Sequence, residues 1–291
     1  MTTIAFVGLG VMGTPMARNL QAKGFDVVAF TRSEGSRAKG RDAGLAVVDA
    51  IDDLPVSPDA VVTVLPDAPD VRAVLDAYAP RLEGSTIVID MSTIAPSAAR
   101  EHADMLGELG HRTLDAPVSG GEAGAVEGVL SIMVGGDADD VERVRPILEA
   151  MGTTIVHVGP AGAGQVVKAA NQLIVAGNIQ MLAEALVLIE AQGIETGPAL
   201  DVLGGGLAGS TVLQRKRTAM VERSFAPGFR LELHQKDLGI VEDTARESNA
   251  PLPAGSLVTG LVRQLVARGD GGLDHSALYT LQAETAGRTD A

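Results

Sequence analysis

The 291-residue sequence contains no cysteine, which excludes disulfide bonds, thiolate nucleophiles and cysteine-ligated metal sites. It also lacks an excess of basic residues: 23 Lys and Arg stand against 37 Asp and Glu, and the formal net charge is -14 at pH 7. This acidity opposes general binding to nucleic acid or to an anionic membrane surface. An anionic small molecule would therefore need basic residues concentrated at its own site.

Histidine is sparse and is not spaced for metal binding. No HxxxH or comparable ligand pattern occurs, so the sequence predicts neither a zinc site nor a histidine general base. His234 is the one histidine close in sequence to a candidate functional residue, Lys236. The five histidines are His102, His111, His157, His234 and His275.

Segments that would direct the chain to or across a membrane are also missing from the pattern. No basic leader precedes the apolar residues 4–12, so no signal peptide is predicted. A long apolar run begins at Ala169, but Asn178, Gln180 and Glu184 interrupt it, and such side chains are costly in lipid. We therefore expect a soluble cytoplasmic protein, and the length suits about two domains of roughly 150 residues.

Residues 162–193 are the stretch around which the chain is organised. They contain no proline and form an almost unbroken apolar run, which predicts one long helix over about 164–192. Lys168, Asn171 and Gln172 stand at positions i, i+3 and i+4, so they share one face of that helix. The sequence predicts a dinucleotide-binding domain over 1–161 and a helical substrate and dimerisation domain over 162–291.

The N-terminal segment has the order of elements that dinucleotide binding requires. A predicted strand, 3–7, runs into Gly8-Leu9-Gly10-Val11-Met12-Gly13, and a helix over 15–23 and a strand over 26–30 follow. In this pattern the first glycine makes the turn, the second admits the pyrophosphate, and the third allows close helix packing. A lone GxGxxG would be weak, but in this setting it predicts that residues 8–13 bind the cofactor.

The end of the second strand bears on the choice of cofactor. An NAD enzyme usually carries an acidic residue there, whereas this chain reads Thr31-Arg32-Ser33 with Arg37 one turn later. A guanidinium with neighbouring hydroxyls suits a 2′-phosphate, so NADP(H) is favoured. Alternatively, Arg32 is a solvated surface residue and both NADP(H) and NAD(H) are used.

Alternating strands and helices continue to about residue 158 and predict a doubly wound parallel sheet, with ligands beyond the carboxyl ends of its strands. Predicted strands span 60–65, 86–90, 131–134 and 154–158, and predicted helices span 71–79 and 96–109. Leu65, Pro66, Ser92 and Thr93 follow strand ends, although each could also serve an ordinary turn. The Ser119-Gly120-Gly121 loop suits a carboxylate held by backbone N–H groups, or else it is only a tight turn.

After Gly193 the strand signal disappears, so the second domain is predicted to be all-α. Helices are predicted over 196–203, 212–221, 238–247 and 257–267. Lys236 and Asp237 then stand at a helix start, where a capping role for Asp237 is favoured over a catalytic one.

Four segments in order carry a resemblance to the β-hydroxyacid dehydrogenases: residues 8–20, 115–121, 162–172 and 236–238. Further matches at 118–122, 205–213 and 274–278 resemble the branch that reduces tartronate semialdehyde (2-hydroxy-3-oxopropionate) to D-glycerate. Many members of that branch have an acidic residue where this chain has Thr31, a difference that concerns the cofactor and not the chemistry.

The resemblance implies a role for each motif. Lys168 would protonate the carbonyl oxygen, Asn171 would hold the substrate or the lysine, and the Ser119–Gly121 loop would grip the carboxylate. Substrate contacts are also expected from Gln172 and Lys236, and cofactor contacts from Thr31, Arg32, Ser33, Leu65, Pro66, Thr93, Lys236 and Asp237.

Several alternatives stay open at this stage. Reductases of glyoxylate or succinic semialdehyde and 3-hydroxyisobutyrate dehydrogenase share every motif. Imine reductases of the same architecture generally lack a lysine at position 168, and a cofactor-binding sensor without turnover would not need one. The long apolar helix suggests packing against a second subunit, and dimers or tetramers are usual in the family that the chain resembles, so a homodimer or homotetramer is expected.

Overall fold

A computed structural model describes residues 2–288, which form two compact units divided after Lys168. The division falls inside one long helix, seven residues beyond the domain boundary that the sequence predicts. Each unit has a hydrophobic core of its own.

The first unit is built on a mixed sheet whose strands run in the order β3-β2-β1-β4-β5-β6-β8-β7, with β9 paired to β8. From β3 to β6 all neighbouring strands are parallel. The strands are β1 (Thr3–Val7), β2 (Asp26–Phe30), β3 (Ala46–Val47), β4 (Ala60–Thr63), β5 (Ile87–Asp90), β6 (Arg112–Asp115), β7 (Val118–Ser119), β8 (Leu130–Gly135) and β9 (Gly152–Gly159).

Helices cover both faces of this sheet because its central strands are apolar on both sides. Along β1, Ile4 and Phe6 pack into one core cluster, whereas Ala5 and Val7 pack into another on the opposite face. The helices of this unit are α1 (Gly13–Ala22), α2 (Glu34–Asp42), α3 (Ala68–Tyr78), α4 (Pro96–Glu108), α5 (Gly121–Glu127) and α6 (Ala138–Glu149). The predicted doubly wound Rossmann-type domain is confirmed.

The sheet departs from a purely parallel arrangement at one side. Strand β8 runs antiparallel to β6 and to the two-residue β7, and β9 is parallel to β8. Only 14 residues connect the end of β6 to the start of β8, and they include β7 and the short α5. The chain therefore turns back beside β6, because a parallel return needs a longer crossover.

The long helix α7 (Ala163–Ala191) matches the predicted element closely. By length and composition alone it could cross a membrane, since an 18-residue window has a mean hydropathy of 1.7, with 39% of that window buried. The core helix of a globular protein passes the same test. Within α7 the Gln180 amide nitrogen donates to the Glu184 carboxylate over 2.7 Å, so two of the polar side chains in this apolar run are bonded to each other.

Among the described residues of the second unit the regular elements are helices, as predicted, apart from one isolated bridge between Arg230 and Asp274. The unit comprises the rest of α7 together with α8 (Thr196–Gly205), α9 (Thr211–Val221), α10 (Leu231–Ser248), α11 (Pro253–Ala267) and α12 (Leu278–Thr285). Helix α10 begins at Leu231, seven residues before the predicted start, because Leu231, His234, Leu238 and Val241 place one continuous stripe in the core.

Candidate functional site

The glycine loop between β1 and α1 has three distinct environments at its three glycines. Gly8 has φ +111°, and a Cβ there would lie 2.1 Å from the Val64 carbonyl oxygen; a Cβ on Gly13 would lie 1.8 Å from the Gly8 carbonyl oxygen. A Cβ on Gly10 would meet nothing within 4 Å. Gly8 and Gly13 are therefore required by the turn and by helix packing, whereas Gly10 faces open space that a ligand can enter.

The rest of this loop leaves the start of α1 available to an anion. The N-cap residue, Met12, makes no side-chain capping bond, and the first turn of α1 holds no acidic residue. Leu9 is buried in the core, so its backbone alone can face a ligand, whereas Val11 is exposed. Phosphate groups bind well at such a helix start, so the loop fits a dinucleotide.

The two candidate arginines after β2, Arg32 and Arg37, have different contacts. Arg37 donates from its guanidinium to the carbonyl oxygens of Thr31 (3.0 Å) and Arg32 (2.7 Å), so it shapes the loop. The side chain of Arg32 is 88% exposed and pairs with Asp70 over 3.3 Å. Ser33 caps α2 by accepting from the Ser36 N–H. Arg32 is thus the guanidinium that points into solvent, and its exposed ion pair is weak enough to exchange.

The ends of β4 and β5 are bonded to each other through a buried carboxylate, Asp90, and the loops that follow them are bonded directly. Asp90 accepts from the Thr63 hydroxyl (2.7 Å) and from the Ser92 N–H (3.1 Å). The Ser92 hydroxyl in turn accepts from the Leu65 N–H over 2.9 Å. Burial raises the pKa of Asp90, and the Ser92 and Thr63 hydrogen bonds oppose that rise. Leu65, Pro66 and Thr93, predicted to contact the cofactor, therefore lie on two loops held as one.

A second buried carboxylate, Asp115 at the end of β6, holds the first turn of α7. It accepts from the N–H groups of Gly162 (2.7 Å) and Gln165 (2.9 Å), and burial raises its pKa to about 6 although these bonds lower it. Gly164 permits this close approach, because a Cβ there would lie 2.4 Å from the Met133 carbonyl oxygen. Asp115 lies within a motif quoted from the sequence, but its capping role was not predicted.

Gln165 is a further residue that sequence reasoning missed. Its side chain is buried; the amide donates to the Ser92 carbonyl oxygen over 2.8 Å and accepts from the Ile94 N–H over 3.2 Å. The first turn of α7 is therefore bonded both to the end of β6 and to the loop after β5. The signal available in sequence was a glutamine directly after Gly-x-Gly at a helix start, which by itself indicates no partner.

Lys168 lies one turn further along α7 and is only 7% exposed, so it is not a solvated surface lysine. Its ammonium donates to the carbonyl oxygen of Val118 over 2.6 Å. Ser119 completes β7, and Gly120 and Gly121 follow with φ +139° and +65°, conformations that side chains rarely adopt. The structure thus brings the candidate proton donor to the start of the Ser119–Gly121 loop.

The candidate residues of the second unit form a hydrogen-bonded chain. The Asn171 amide donates to the Gln172 side-chain oxygen (2.8 Å), and the Gln172 amide donates to Asp237 (2.5 Å). Lys236 pairs with the same carboxylate over 3.1 Å. Lys236 and Asp237 lie in the second turn of α10, so the predicted capping role of Asp237 is wrong. Its buried carboxylate instead orients an amide of α7 and neutralises a lysine.

Next to this series of hydrogen bonds, the second unit buries a cluster of charged and aromatic side chains. The His234 ring contacts the Gln172 carbonyl oxygen (3.3 Å) and the His275 ring (3.1 Å). Burial raises the pKa of Asp274, but the charge of His275 and hydrogen bonds from Ser276 and Lys216 outweigh it and hold that pKa below its usual value. Burial also lowers the pKa of His275 well below its usual value. These groups fix the start of α10 and the backbone near Gln172.

Metal-binding geometry is not found in the part of the chain that the structure describes. Within residues 2–288 no group of three or more His, Asp or Glu side chains is placed to hold a metal ion.

Two family models match successive parts of the chain. The model of the NAD binding domain of 6-phosphogluconate dehydrogenase matches residues 3–159. The model of the NAD-binding domain of NADP-dependent 3-hydroxyisobutyrate dehydrogenase matches residues 162–282.

Relatives match over nearly the whole chain. A 2-hydroxy-3-oxopropionate reductase of Escherichia coli (strain K12) is 40% identical over 279 residues, covering 94% of this chain and 95% of that protein. An NAD-dependent L-serine dehydrogenase of Pseudomonas aeruginosa is 37% identical, covering 99% and 100%. The structure of Mycobacterium tuberculosis 3-hydroxyisobutyrate dehydrogenase with L-serine has a TM-score of 0.89 at 35% identity, covering 97% and 99%.

Proposed function

The chain belongs to the β-hydroxyacid dehydrogenases, a family of NAD(P)-dependent oxidoreductases, and on this premise we propose that it reduces tartronate semialdehyde (2-hydroxy-3-oxopropionate) to D-glycerate. The choice of substrate rests on the similarity to the 2-hydroxy-3-oxopropionate reductase. The observation that carries the chemistry is the buried ammonium of Lys168, held against Val118 at the start of the Ser119–Gly121 loop.

Reduction of an aldehyde demands a proton donor at one defined position. A reduced nicotinamide, when bound, would supply hydride to the carbonyl carbon, and the carbonyl oxygen would then carry negative charge. A group that donates a proton or a hydrogen bond to that oxygen lowers the barrier. The ammonium of Lys168 has three donor hydrogens and no acceptor, so it is a donor of the kind that this oxygen needs.

The loop beside Lys168 suits the acidic end of the substrate. The positive φ angles of Gly120 and Gly121 turn the backbone sharply after Ser119, in a segment that has no Cβ at either glycine. Backbone N–H groups in such a turn, together with the Ser119 hydroxyl, are donors of the kind that hold a carboxylate. Asn171 and Gln172 share the Lys168 face of α7 and would orient the substrate, with Asp237 and Lys236 supporting Gln172.

For the cofactor we propose NADP(H) in preference to NAD(H). The exposed guanidinium of Arg32 follows β2, where the ribose 2′ position of a bound dinucleotide would lie. Its partner Asp70 is 28% exposed, and a 2′-phosphate would compete with this pair for the guanidinium at little cost, because ion pairs open to solvent contribute only about 0–1 kcal/mol. Thr31 offers a hydroxyl in place of the acidic residue that would repel a phosphate.

A second candidate function is oxidation of a 3-hydroxy acid such as 3-hydroxyisobutyrate or L-serine. It is favoured by the likeness to the M. tuberculosis structure, which contains L-serine. Both reactions use the same proton position, because the lysine that protonates an aldehyde oxygen takes that proton back in the reverse direction. The two groups of substrates differ in the substituent on the carbon between the reacting carbon and the carboxylate.

Steady-state kinetics with a panel of small acids tests the assignment. Tartronate, succinic and methylmalonate semialdehydes and glyoxylate are each reduced with NADPH and with NADH, and L-serine and 3-hydroxyisobutyrate are oxidised with NADP+ and NAD+. We expect the highest kcat/KM for tartronate semialdehyde with NADPH. A higher kcat/KM for methylmalonate semialdehyde, or for 3-hydroxyisobutyrate in the reverse direction, would replace the proposed substrate.

We also propose that the protein is a homo-oligomer assembled along α7. Ile174, Met181 and Leu188 recur every seven residues and are 56–64% exposed, which leaves an apolar stripe along the helix. A second copy would cover such a stripe. Light scattering of the wild type should give a dimer or tetramer mass, and Met181→Lys should lower it; a monomeric wild type would contradict the proposal.

A further inference from the structure

The first turn of α7 is held in place by more bonds than a helix start requires. An α-helix begins with four N–H groups that lack partners inside the helix, and one capping acceptor normally serves one or two of them. Here Asp115 already accepts from Gly162 and Gln165. The Gln165 side chain then adds two bonds that do nothing for the helix and reach instead to Ser92 and Ile94 in the loop after β5.

The partners of Gln165 belong to the loop system at the carboxyl ends of the central strands. The Ser92 hydroxyl accepts from the Leu65 N–H, and the Ser92 N–H donates to Asp90, so the loops after β4 and β5 are bonded to each other. Ligands of doubly wound sheets bind at this edge. Gln165 is therefore a side chain that bonds the helix carrying Lys168 to this loop system.

Helical geometry relates Gln165 directly to Lys168. Three residues advance a helix by about 4.5 Å and rotate it by about 300°, so the two side chains lie almost above one another, one turn apart. Gln165 is 1% exposed and its amide is bonded at both its nitrogen and its oxygen, which leaves it a single orientation. A rotation of this turn would carry the Lys168 ammonium away from the Ser119–Gly121 loop.

We propose that Gln165 is a positioning residue for Lys168: by bonding the first turn of α7 to the Ser92–Ile94 segment, it sets the distance between the proton-donating ammonium and the loops that receive the cofactor. This inference rests on the proposed function. Gln165 acts on the reaction through the helix and through Lys168 and does not touch the reacting atoms. Errors of about 1 Å in such placement lower turnover by about a hundredfold.

A simpler role for Gln165 would be to satisfy the buried Ser92 carbonyl and Ile94 N–H groups. Both roles predict that Gln165→Leu destabilises the protein, because it leaves two buried backbone groups unpaired. They differ in what happens to Lys168 in the folded variant. The distinguishing measurements are therefore made below the melting temperature, on Lys168 itself and on kcat.

The chain offers a matched control in Gln180. It lies on the same helix, is equally buried at 1% exposure, and bonds to Glu184 on the next turn of α7 and not to a strand loop. Gln180→Leu thus removes a buried glutamine amide from α7 without touching the bonds at its first turn.

The experiment compares the wild type, Gln165→Leu and Gln180→Leu by three readouts. These are kcat and the KM values for semialdehyde and NADPH, the melting temperature, and the rate at which acetic anhydride labels Lys168 in the cofactor-free protein, read by peptide mass spectrometry. For Gln165→Leu we expect kcat to fall by about ten- to a hundredfold, KM for NADPH to stay within about threefold, and Lys168 to be labelled several times faster. Gln180→Leu should match the wild type in kcat and labelling.

Wild-type kcat together with wild-type labelling in a folded Gln165→Leu would overturn the proposal, as would an equal loss of kcat in Gln180→Leu. Should Gln165→Leu fail to fold, Gln165→Glu is judged by the same criteria, since it keeps an acceptor for Ile94 and loses the donor to Ser92. Absence of turnover in the wild type would refute the proposed function alone, because the labelling comparison does not depend on turnover.

Discussion

Lys168→Met removes the ammonium on which the proposed reaction depends while keeping most of the volume of a side chain that is only 7% exposed. The conserved volume matters because a cavity at this position could disturb α7 and mimic a catalytic defect. The substitution also removes the hydrogen bond to the carbonyl oxygen of the partly buried Val118 in β7. From that loss we expect folding stability to fall by about 1–3 kcal/mol.

The effect on turnover should be much larger than the effect on folding. A positioned general acid contributes about 10²–10⁴-fold to rate, so kcat with tartronate semialdehyde should fall by that factor, equivalent to about 3–5 kcal/mol in the barrier. The glycine loop proposed to bind the cofactor lies between β1 and α1 and not on α7. The dissociation constant for NADPH, measured by NADPH fluorescence, should therefore change by less than about threefold.

Lys216→Met is the matched control. Lys216 is also a mostly buried lysine, 20% exposed, but it bonds to Asp274 within the second unit and is not part of the proposed site. It should lose stability and keep kcat within about threefold at a temperature where all variants are folded. The reasoning fails if Lys168→Met keeps more than about a tenth of wild-type kcat, or if both lysine variants lose kcat equally.

Three further predictions concern the cofactor loop and the buried carboxylate that caps α7. Arg32→Ala should raise the KM for NADPH at least tenfold and leave the KM for NADH nearly unchanged; equal effects on both would remove the 2′-phosphate argument. Gly10→Ala should fold normally, because its Cβ meets nothing within 4 Å, yet bind NADPH more weakly, whereas Gly13→Ala should fold poorly because its Cβ would lie 1.8 Å from the Gly8 carbonyl oxygen. Calorimetry with NADPH titration separates the two glycines, and normal cofactor affinity in Gly10→Ala would count against the loop. The folded pKa of Asp115, about 6, lies above its ordinary value of 3.8, so the folded state holds this proton more tightly. Its stabilising contribution is complete below about pH 3.8 and is lost as the pH rises through about 6, a change of about 3 kcal/mol. Because the contribution is not yet complete at pH 4, urea unfolding of the wild type and Asp115→Asn at pH 4 and pH 7 should show the stability difference between them shifting by about 2 kcal/mol in favour of the wild type at pH 4; a constant difference would contradict it.

Features encoded over a few consecutive residues were predictable from the sequence. Strands β1 and β2 have the predicted bounds, because short apolar runs flanked by glycine and polar residues have few other solutions. The glycine loop followed from its spacing, and α7 from 29 residues without a helix-breaking proline. Lys168 was identified as the proton donor by resemblance, and its burial agrees with that role.

Elements whose stability depends on distant partners were mispredicted or missed. Helix α2 was not predicted because its sequence is mostly polar and Gly40 is its one buried residue. The predicted start of α10 lies seven residues after the observed one, because Lys236 and Asp237 resemble a helix start in sequence. In the fold their charges pair with each other and with Gln172, which makes a helix interior acceptable.

The sequence by itself determined the βα rhythm and the glycine loop, since each depends on periodicity or spacing within one segment, and the resemblance to the family pointed to the residue that carries the proposed chemistry. The tertiary structure alone decided which groups hold that chemistry in place. Asp90 meets Thr63 across 27 residues, Asp115 meets Gly162 across 47, and Gln165 meets Ser92 across 73. A buried carboxylate or amide is stable only with partners, and when those partners come from other strands, no local pattern reveals them.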